Sequence, residues 1–205
     1  MRIGPKYKIA RRLGERIFPK TQTAKFVISG TDARSQSGKG KRRKTLSDYG
    51  RQLLEKQKAK YTYGVSERQF VGYIKKARQA QGNPAEKLYQ LLENRLDNVV
   101  FRLGLVRSRA FARQAVAHGH ITVNDRKLTI PSYQVKTGDK IAIRPGSREN
   151  GVFRDLAEKL KEHTTPAWLL VDPLSGAGEV KGAPLAKDGE PTLQFSSILE
   201  FYSRV

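Results

Sequence analysis

The sequence predicts an α+β protein, and three observations carry that reading. Four segments between residues 46 and 119 show helical periodicity with explicit start signals. From residue 121 the apolar period shortens to two around a tight turn. Charge is segregated along the chain, setting a basic body apart from a near-neutral end.

Residues 29–45, which include the run Lys39-Gly40-Lys41-Arg42-Arg43-Lys44, hold few apolar side chains and no period, so they predict a loop or extended arm. Ser47 is a cap for a helix over 46–60 that sets Leu53 and Leu54 among Arg51, Lys56, Lys58 and Lys60. The next start is stronger. Ser66 at the N-cap and Gln69 at N3 complete a capping box, and Val65 and Phe70 form a hydrophobic staple. Phe70, Tyr73, Ile74 and Ala77 then mark an inward face and leave Arg68, Lys75, Lys76 and Arg78 outward, until Gly82 and Pro84 end the helix.

Asn83-Pro84-Ala85-Glu86 combines a cap, a proline at N1 and a carboxylate at N3. Leu88, Leu91, Leu92, Leu96, Val99, Val100 and Leu103 follow as one apolar stripe up to Gly104, which belongs in a core. Ser108 caps a shorter helix through Phe111, Ala112, Ala115 and Val116 to a C′ glycine at Gly119. Ile121–Val123 and Arg126–Leu128 flank the two-residue turn Asn124-Asp125, and Lys140–Arg144 alternates as a third strand after the turn Lys136–Asp139. Pro145–Asn150 and Pro173–Pro191 read as loops. Trp168 to Val171 and the group Phe195, Ile198, Leu199, Phe201 and Tyr202 read as packing residues.

The 205 residues include 40 Lys and Arg against 19 Asp and Glu, a formal charge of +21. Residues 1–100 carry +16, residues 101–150 carry +7 and residues 151–205 carry −2. Solubility alone gives no reason for that gradient, whereas docking a polyanion through the first 150 residues does. Leu, Ile, Val and Phe make up about 24% of the chain, above the roughly 20% below which a highly charged chain stays unfolded. The longest uncharged apolar run, Ala167–Val171, falls far short of the roughly 20 residues that span a bilayer. No signal-peptide stretch follows Met1, so a soluble cytosolic protein with no membrane partner is expected. With no cysteine, disulfides, thiol catalysis and thiolate metal sites are excluded.

Clustered cations beside a basic helix face favour RNA or DNA over a solvated tail, because neutralising phosphates releases counterions. Gly38-Lys39-Gly40-Lys41 lacks the spacing and ending of a phosphate loop, and His118-Gly119-His120 lacks a third metal ligand. His163 lies in a charged stretch, and no nucleophile, base and acid can be grouped, so no catalytic centre and no cofactor are expected. Tyr61 and Tyr63, beside Lys58 and Lys60, read either as base-stacking rings or as core. The expected RNA contacts are Lys41, Arg42, Arg43, Lys44, Arg51, Lys56, Lys58, Arg68, Lys75 and Lys76 in the arm and helices. In the small module they are Arg107, Ser108, Arg109, Arg113, Gln114, His118, His120 and Asn124, with the Ser108 helix start offering N–H groups to a phosphate.

Gly4-Pro5-Lys6-Tyr7-Lys8, Leu46-Ser47-Asp48-Tyr49-Gly50, Tyr61–Phe70 and Arg95–Gly104 together resemble the S-four family of bacterial small-subunit ribosomal proteins. So do Ser108-Arg109-Ala110, Ala112-Arg113-Gln114, His118–Asn124, Ile130–Tyr133 and Glu200–Arg204. Residues 96–145 alone resemble an RNA-binding module shared with some tyrosyl-tRNA synthetases, pseudouridine synthases and heat-shock RNA binders. The resemblance implies direct binding of 16S rRNA in the small (30S) subunit, early in its assembly, and a role in translational accuracy. It implies small-subunit protein number five as a neighbour, with mRNA passing nearby where it enters. It also implies the domain plan: a basic N-terminal arm over 1–45, a helical domain over 46–94 completed by 192–205, and an RNA-binding α/β domain over 95–191 inserted before that C-terminal return.

Two departures stand out. The cysteine cluster with which many relatives bind zinc has no counterpart, and residues 20–45 lack the usual Pro-Gly-Gln-His-Gly loop. This is therefore expected to be a zinc-free form. Its arm buries too little to offset about 1 to 2 kcal/mol of backbone entropy per ordered residue, so RNA is expected to order it. Rival readings are a pseudouridine-synthase-like RNA-modifying enzyme and a free-standing RNA chaperone. Residues 146–205 are too short and loop-rich for a catalytic domain, and the two ends of the chain carry the ribosomal motifs.

Overall fold

The computed structural model describes residues 3–23, 26–28, 46–151, 153, 156, 158, 160, 163–172, 175–185 and 193–203. The chain divides into two compact units, residues 1–71 with 192–205 and residues 72–191. Among the described residues there are seven α-helices and one five-stranded sheet, and no helix is long and apolar enough to cross a membrane.

The first unit holds α1 (Lys6–Leu13), α2 (Asp48–Thr62), the start of α3 (Glu67–Gln79) and α7 (Phe195–Ser203). Ser47 caps α2 by accepting the Gly50 N–H at 3.2 Å, and Ser66 lies 3.4 Å from the Gln69 N–H at the head of α3. The tail returns to this unit: α7 packs on α2, with Ile198 and Phe201 buried. Gln52 donates to Glu200 at 2.9 Å, and the Gln194 N–H donates to Glu55 at 3.3 Å.

Residues 3–28 depart from the expected arm. Ala10, Phe18 and Phe26 are buried as a small core, with Ile3, Ile9, Ile17, Ile28 and Tyr61 packed against it. Thr21 closes a 3-10 turn over Pro19–Thr21 through its hydroxyl, which donates to the Phe18 carbonyl at 2.7 Å. Apolar residues spaced irregularly around a loop leave no period, so this cluster is not visible in the pattern although it buries several side chains at about 1.5 to 3 kcal/mol each. The ordering of these residues therefore has a local source. Tyr61 meets Phe18 edge-on at 6.2 Å and Tyr63 is 3% exposed, so both tyrosines are packing residues rather than free stacking rings.

In the second unit the apolar stripe breaks in two. α4 (Pro84–Glu93), capped by Asn83 on the Ala85 N–H at 3.0 Å, stops at Asn94, and α5 (Leu96–Arg102) restarts after an extended Arg95. Arg95 pairs with Gln134 as an isolated bridge, which pulls the backbone out of the helix. α6 (Arg109–Ala117) starts with Ser108 accepting the Phe111 N–H at 3.2 Å. It ends in a Schellman turn: Gly119, at φ 73°, donates to Val116, and His120 donates to Ala115.

The sheet runs in the order β2-β1-β3-β5-β4, antiparallel throughout. Its strands are β1 (Ile121–Val123), β2 (Arg126–Lys127), β3 (Lys140–Ile143), β4 (Leu169–Asp172) and β5 (Ala177–Val180). Val123 faces Arg126 across Asn124 and Asp125, both left-handed at φ 49° and 62°, as a two-residue hairpin turn requires. β5 lies inside the stretch expected to be loop, and β4 just before it. Leu96, Val99, Val100 and Leu103 of α5 pack with Val116, Ile121, Ile141, Ile143 and Trp168 in one core.

Candidate nucleic-acid interface

α5 lies beneath α6 and presents polar groups that most core helices lack. Arg95 is fully buried, with Nε and Nη2 on both oxygens of Asp97 at 3.1 and 2.8 Å and Nη1 donating to the Tyr73 hydroxyl at 2.6 Å. Burial opposes its charge, but Asp97 and Tyr73 more than compensate and hold the guanidinium protonated. Asp97 has a second partner, Arg113 Nε at 3.3 Å. The Asn98 amide donates to Glu93, and its oxygen accepts Arg109 Nε at 2.8 Å. Glu93, itself fully buried, takes Arg102 through both oxygens at 3.0 and 2.9 Å.

Arg109 and Arg113, four residues apart on α6, are thus held through Nε from the helix below, and Arg109 also lies 4.6 Å over the Phe101 ring. A guanidinium fixed at Nε keeps its terminal nitrogens in a set plane, which suits forked recognition of phosphate. Arg107, Gln114 and His118 are exposed around them. His120 lies 6.1 Å from His118 and is half-buried, its Nδ1 3.0 Å from the Ser147 hydroxyl. Two expected contacts have internal work instead. Ser108 Oγ is occupied by its own helix. The Asn124 amide bridges Asp139 at 2.8 Å and the Lys140 N–H at 2.9 Å, locking the hairpin to the next turn.

In the first unit, Arg51 is exposed and paired with Asp48, and Arg68, Lys75 and Lys76 are exposed along α3. Lys56 is not on the surface. It is 8% exposed, its Nζ lies 2.8 Å from Glu67, and it sits 5.0 Å from the Phe201 ring and 5.7 Å from Tyr202. Lys58 is likewise engaged, between Glu15 at 2.7 Å and Glu55 at 2.9 Å. Burial works against the Lys58 charge, but these carboxylates outweigh it and raise its pKa. A cation count along a helix cannot separate such pairs from RNA-facing charge. Lys41, Arg42, Arg43 and Lys44 lie outside the described residues.

Asp97, Asn98, Glu93 and Arg102 are absent from the residues picked by sequence. The available signal was a set of acids and an amide at 93, 97 and 98, inside an otherwise apolar stripe. Among the described residues no three His, Asp or Glu side chains converge as a metal set.

Residues 1–93 match the family described as "Ribosomal protein S4/S9 N-terminal domain", and residues 94–141 match the "S4 domain". "Small ribosomal subunit protein uS4" of Roseiflexus sp. (strain RS-1) is 49% identical over 203 residues, covering 98% of each chain. The chain belongs to the S4 family of ribosomal proteins. Its similarity to the proteins of that name from Roseiflexus castenholzii, 50% over 204 residues, and Chloroflexus aurantiacus, 47% over 204, also spans 98% of each. The border between the two S4-family matches, at residues 93 and 94, falls where α4 ends and Arg95 turns inward.

Proposed function

We propose that this chain is a structural, non-catalytic constituent of the small ribosomal subunit that binds 16S rRNA directly. The observation that carries this reading is the grip of Asp97 and Asn98 on Arg113 and Arg109, which fixes two cations on one helix face in a strongly basic chain. RNA duplexes are recognised largely through backbone and shape, and fixed guanidinium planes supply that recognition. Arg107, Gln114 and His118 extend this surface, and Arg51, Arg68, Lys75, Lys76 and the 41–44 cluster supply the rest of the charge. The arm, helical domain and inserted RNA-binding domain assigned from sequence then divide the labour between phosphate contact and protein contact.

The finer assignments belong to the same reading: a role in early assembly and accuracy, cytoplasmic location, mRNA nearby where it enters, and protein number five as neighbour. A groove of about 450 Å³ bordered by Asp48, Glu55 and Glu200 is a poor surface for RNA and a fitting one for a protein partner. No observation favours an RNA-modifying enzyme, and the full-length relatives are ribosomal proteins.

Filter binding to a 16S rRNA transcript between 50 and 200 mM KCl tests the core of the proposal. Arg109→Gln with Arg113→Gln should flatten the slope of log K against log salt by up to about 0.9 per phosphate contact, using the duplex-DNA value as guide. Unchanged affinity and slope in the double variant would remove α6 from the interface.

A further inference from the structure

We propose that α1 is a second RNA-binding element, one that stacks an unpaired base on Tyr7. This rests on the rRNA reading above and adds a ligand class to it. Tyr7 is 47% exposed, yet its ring is held in place, 5.4 Å from Phe26 at an interplanar angle of 36°. Phe26 is itself 3% exposed in the small core of residues 3–28. One turn further along, Arg11 sets its guanidinium 5.7 Å from the centroid of the same Phe26 ring. Tyr7 and Arg11 therefore form one stripe on a buried aromatic base, and the exposed Lys8 and Arg12 form the adjacent stripe. α1 carries no acid in its first turn, and Glu15, just beyond it, is turned away to Lys58 at 2.7 Å.

Each feature serves stacking. A ring already fixed by packing loses little further freedom on binding. Aromatic faces and guanidinium planes both accept bases, and neighbouring cations take the flanking phosphates. The bases of a duplex are covered by their neighbours, so the partner is a looped-out or single-stranded nucleotide of the rRNA.

The test uses the full chain and a 16S rRNA transcript, with affinity measured across KCl concentrations. Tyr7→Ala should bind roughly 5- to 100-fold more weakly, the range for losing one base–aromatic stack. Its salt slope should stay unchanged, because no phosphate contact is lost. Tyr7→Phe should bind like the unaltered chain, and Tyr7→Leu, which keeps Phe26 covered, should be as weak as Ala. Arg11→Gln should reduce the slope by about 0.7, the value per phosphate on a single strand.

Full affinity in Tyr7→Leu would reduce the ring to a cover for Phe26. A defect in Tyr7→Phe equal to that of Ala would point to the hydroxyl, and a changed slope in Tyr7→Ala would point to a displaced helix; either overturns the stacking site. Failure of the unaltered chain to bind overturns the rRNA reading itself, whereas tight binding that ignores every Tyr7 variant overturns only this inference.

Discussion

Glu67 joins α2, α3 and the C-terminal helix at one carboxylate, which accepts Lys56 at 2.8 Å, Lys60 at 2.7 Å and the Tyr202 hydroxyl at 2.5 Å. Burial alone would raise its pKa, but the bonds from Lys56, Lys60 and Tyr202 overcome that and hold it at about 2, below the ordinary 4.5. The Tyr202 phenol is pushed up, by burial first and by Glu67 second, so it stays a donor. A carboxyl depressed on folding stabilises in full above its unfolded pKa and loses that contribution as pH falls toward the folded value. Denaturant unfolding of the unaltered chain and of Glu67→Gln should differ most above about pH 4.5 and converge as pH approaches about 2; a gap constant with pH would remove Glu67 as the titrating group. Phe201, 5% exposed and 5.3 Å from the Tyr49 ring, is the apolar half of the same joint. Phe201→Ala should cost on the order of 3 to 5 kcal/mol, and an unaltered thermal midpoint would mean that α7 contributes nothing to the fold.

Elements with a local start signal were legible. Ser47, Ser66, Asn83 and Ser108 each head the helix that their chemistry announces, because a cap is written within four residues. The break at Asn94–Arg95 was not, since Leu88 to Leu103 keep one stripe and the reason for the kink, a bridge to Gln134, lies about forty residues away. β4 and β5 escaped for a related reason. β5 reads Ala-Gly-Glu-Val, with too few branched or aromatic residues to announce a strand, and it forms because β3 offers an edge. Its glycine is required by packing: a Cβ on Gly178 would overlap the methyl groups of the fully buried Leu103. Gly178→Ala should therefore destabilise the second unit by about 1 to 3 kcal/mol, the usual cost of overpacking a core. Chemical unfolding followed by Trp168 fluorescence measures it, and an unchanged midpoint would mean that β5 can retreat from α5 without cost.

For the molecule as a whole, the +21 excess predicts a polyanion but not which cations meet it. Lys56 and Lys58 face carboxylates inside the first unit, while Arg109 and Arg113 are aimed by Asn98 and Asp97 in the second, and composition counts all four alike. The cationic surfaces that remain, α1 with Lys8, Arg11 and Arg12 and α6 with its two arginines, belong to different units of one chain. If both grip one rRNA, the second contact forms intramolecularly, and avidity can exceed either affinity by roughly 10²- to 10⁴-fold without any new contact. Salt dependence separates that arrangement from two competing sites, because counterion release counts phosphates and ignores the order in which they are met. Neutralising α1 should lower the slope by up to about 0.7 per single-strand contact and neutralising α6 by up to about 0.9 per duplex contact. The combined variant should then lose the sum of the two decrements, measured by filter binding to the same 16S transcript. A combined slope no lower than that of the weaker single variant would show that the two surfaces alternate on the RNA instead of holding it together.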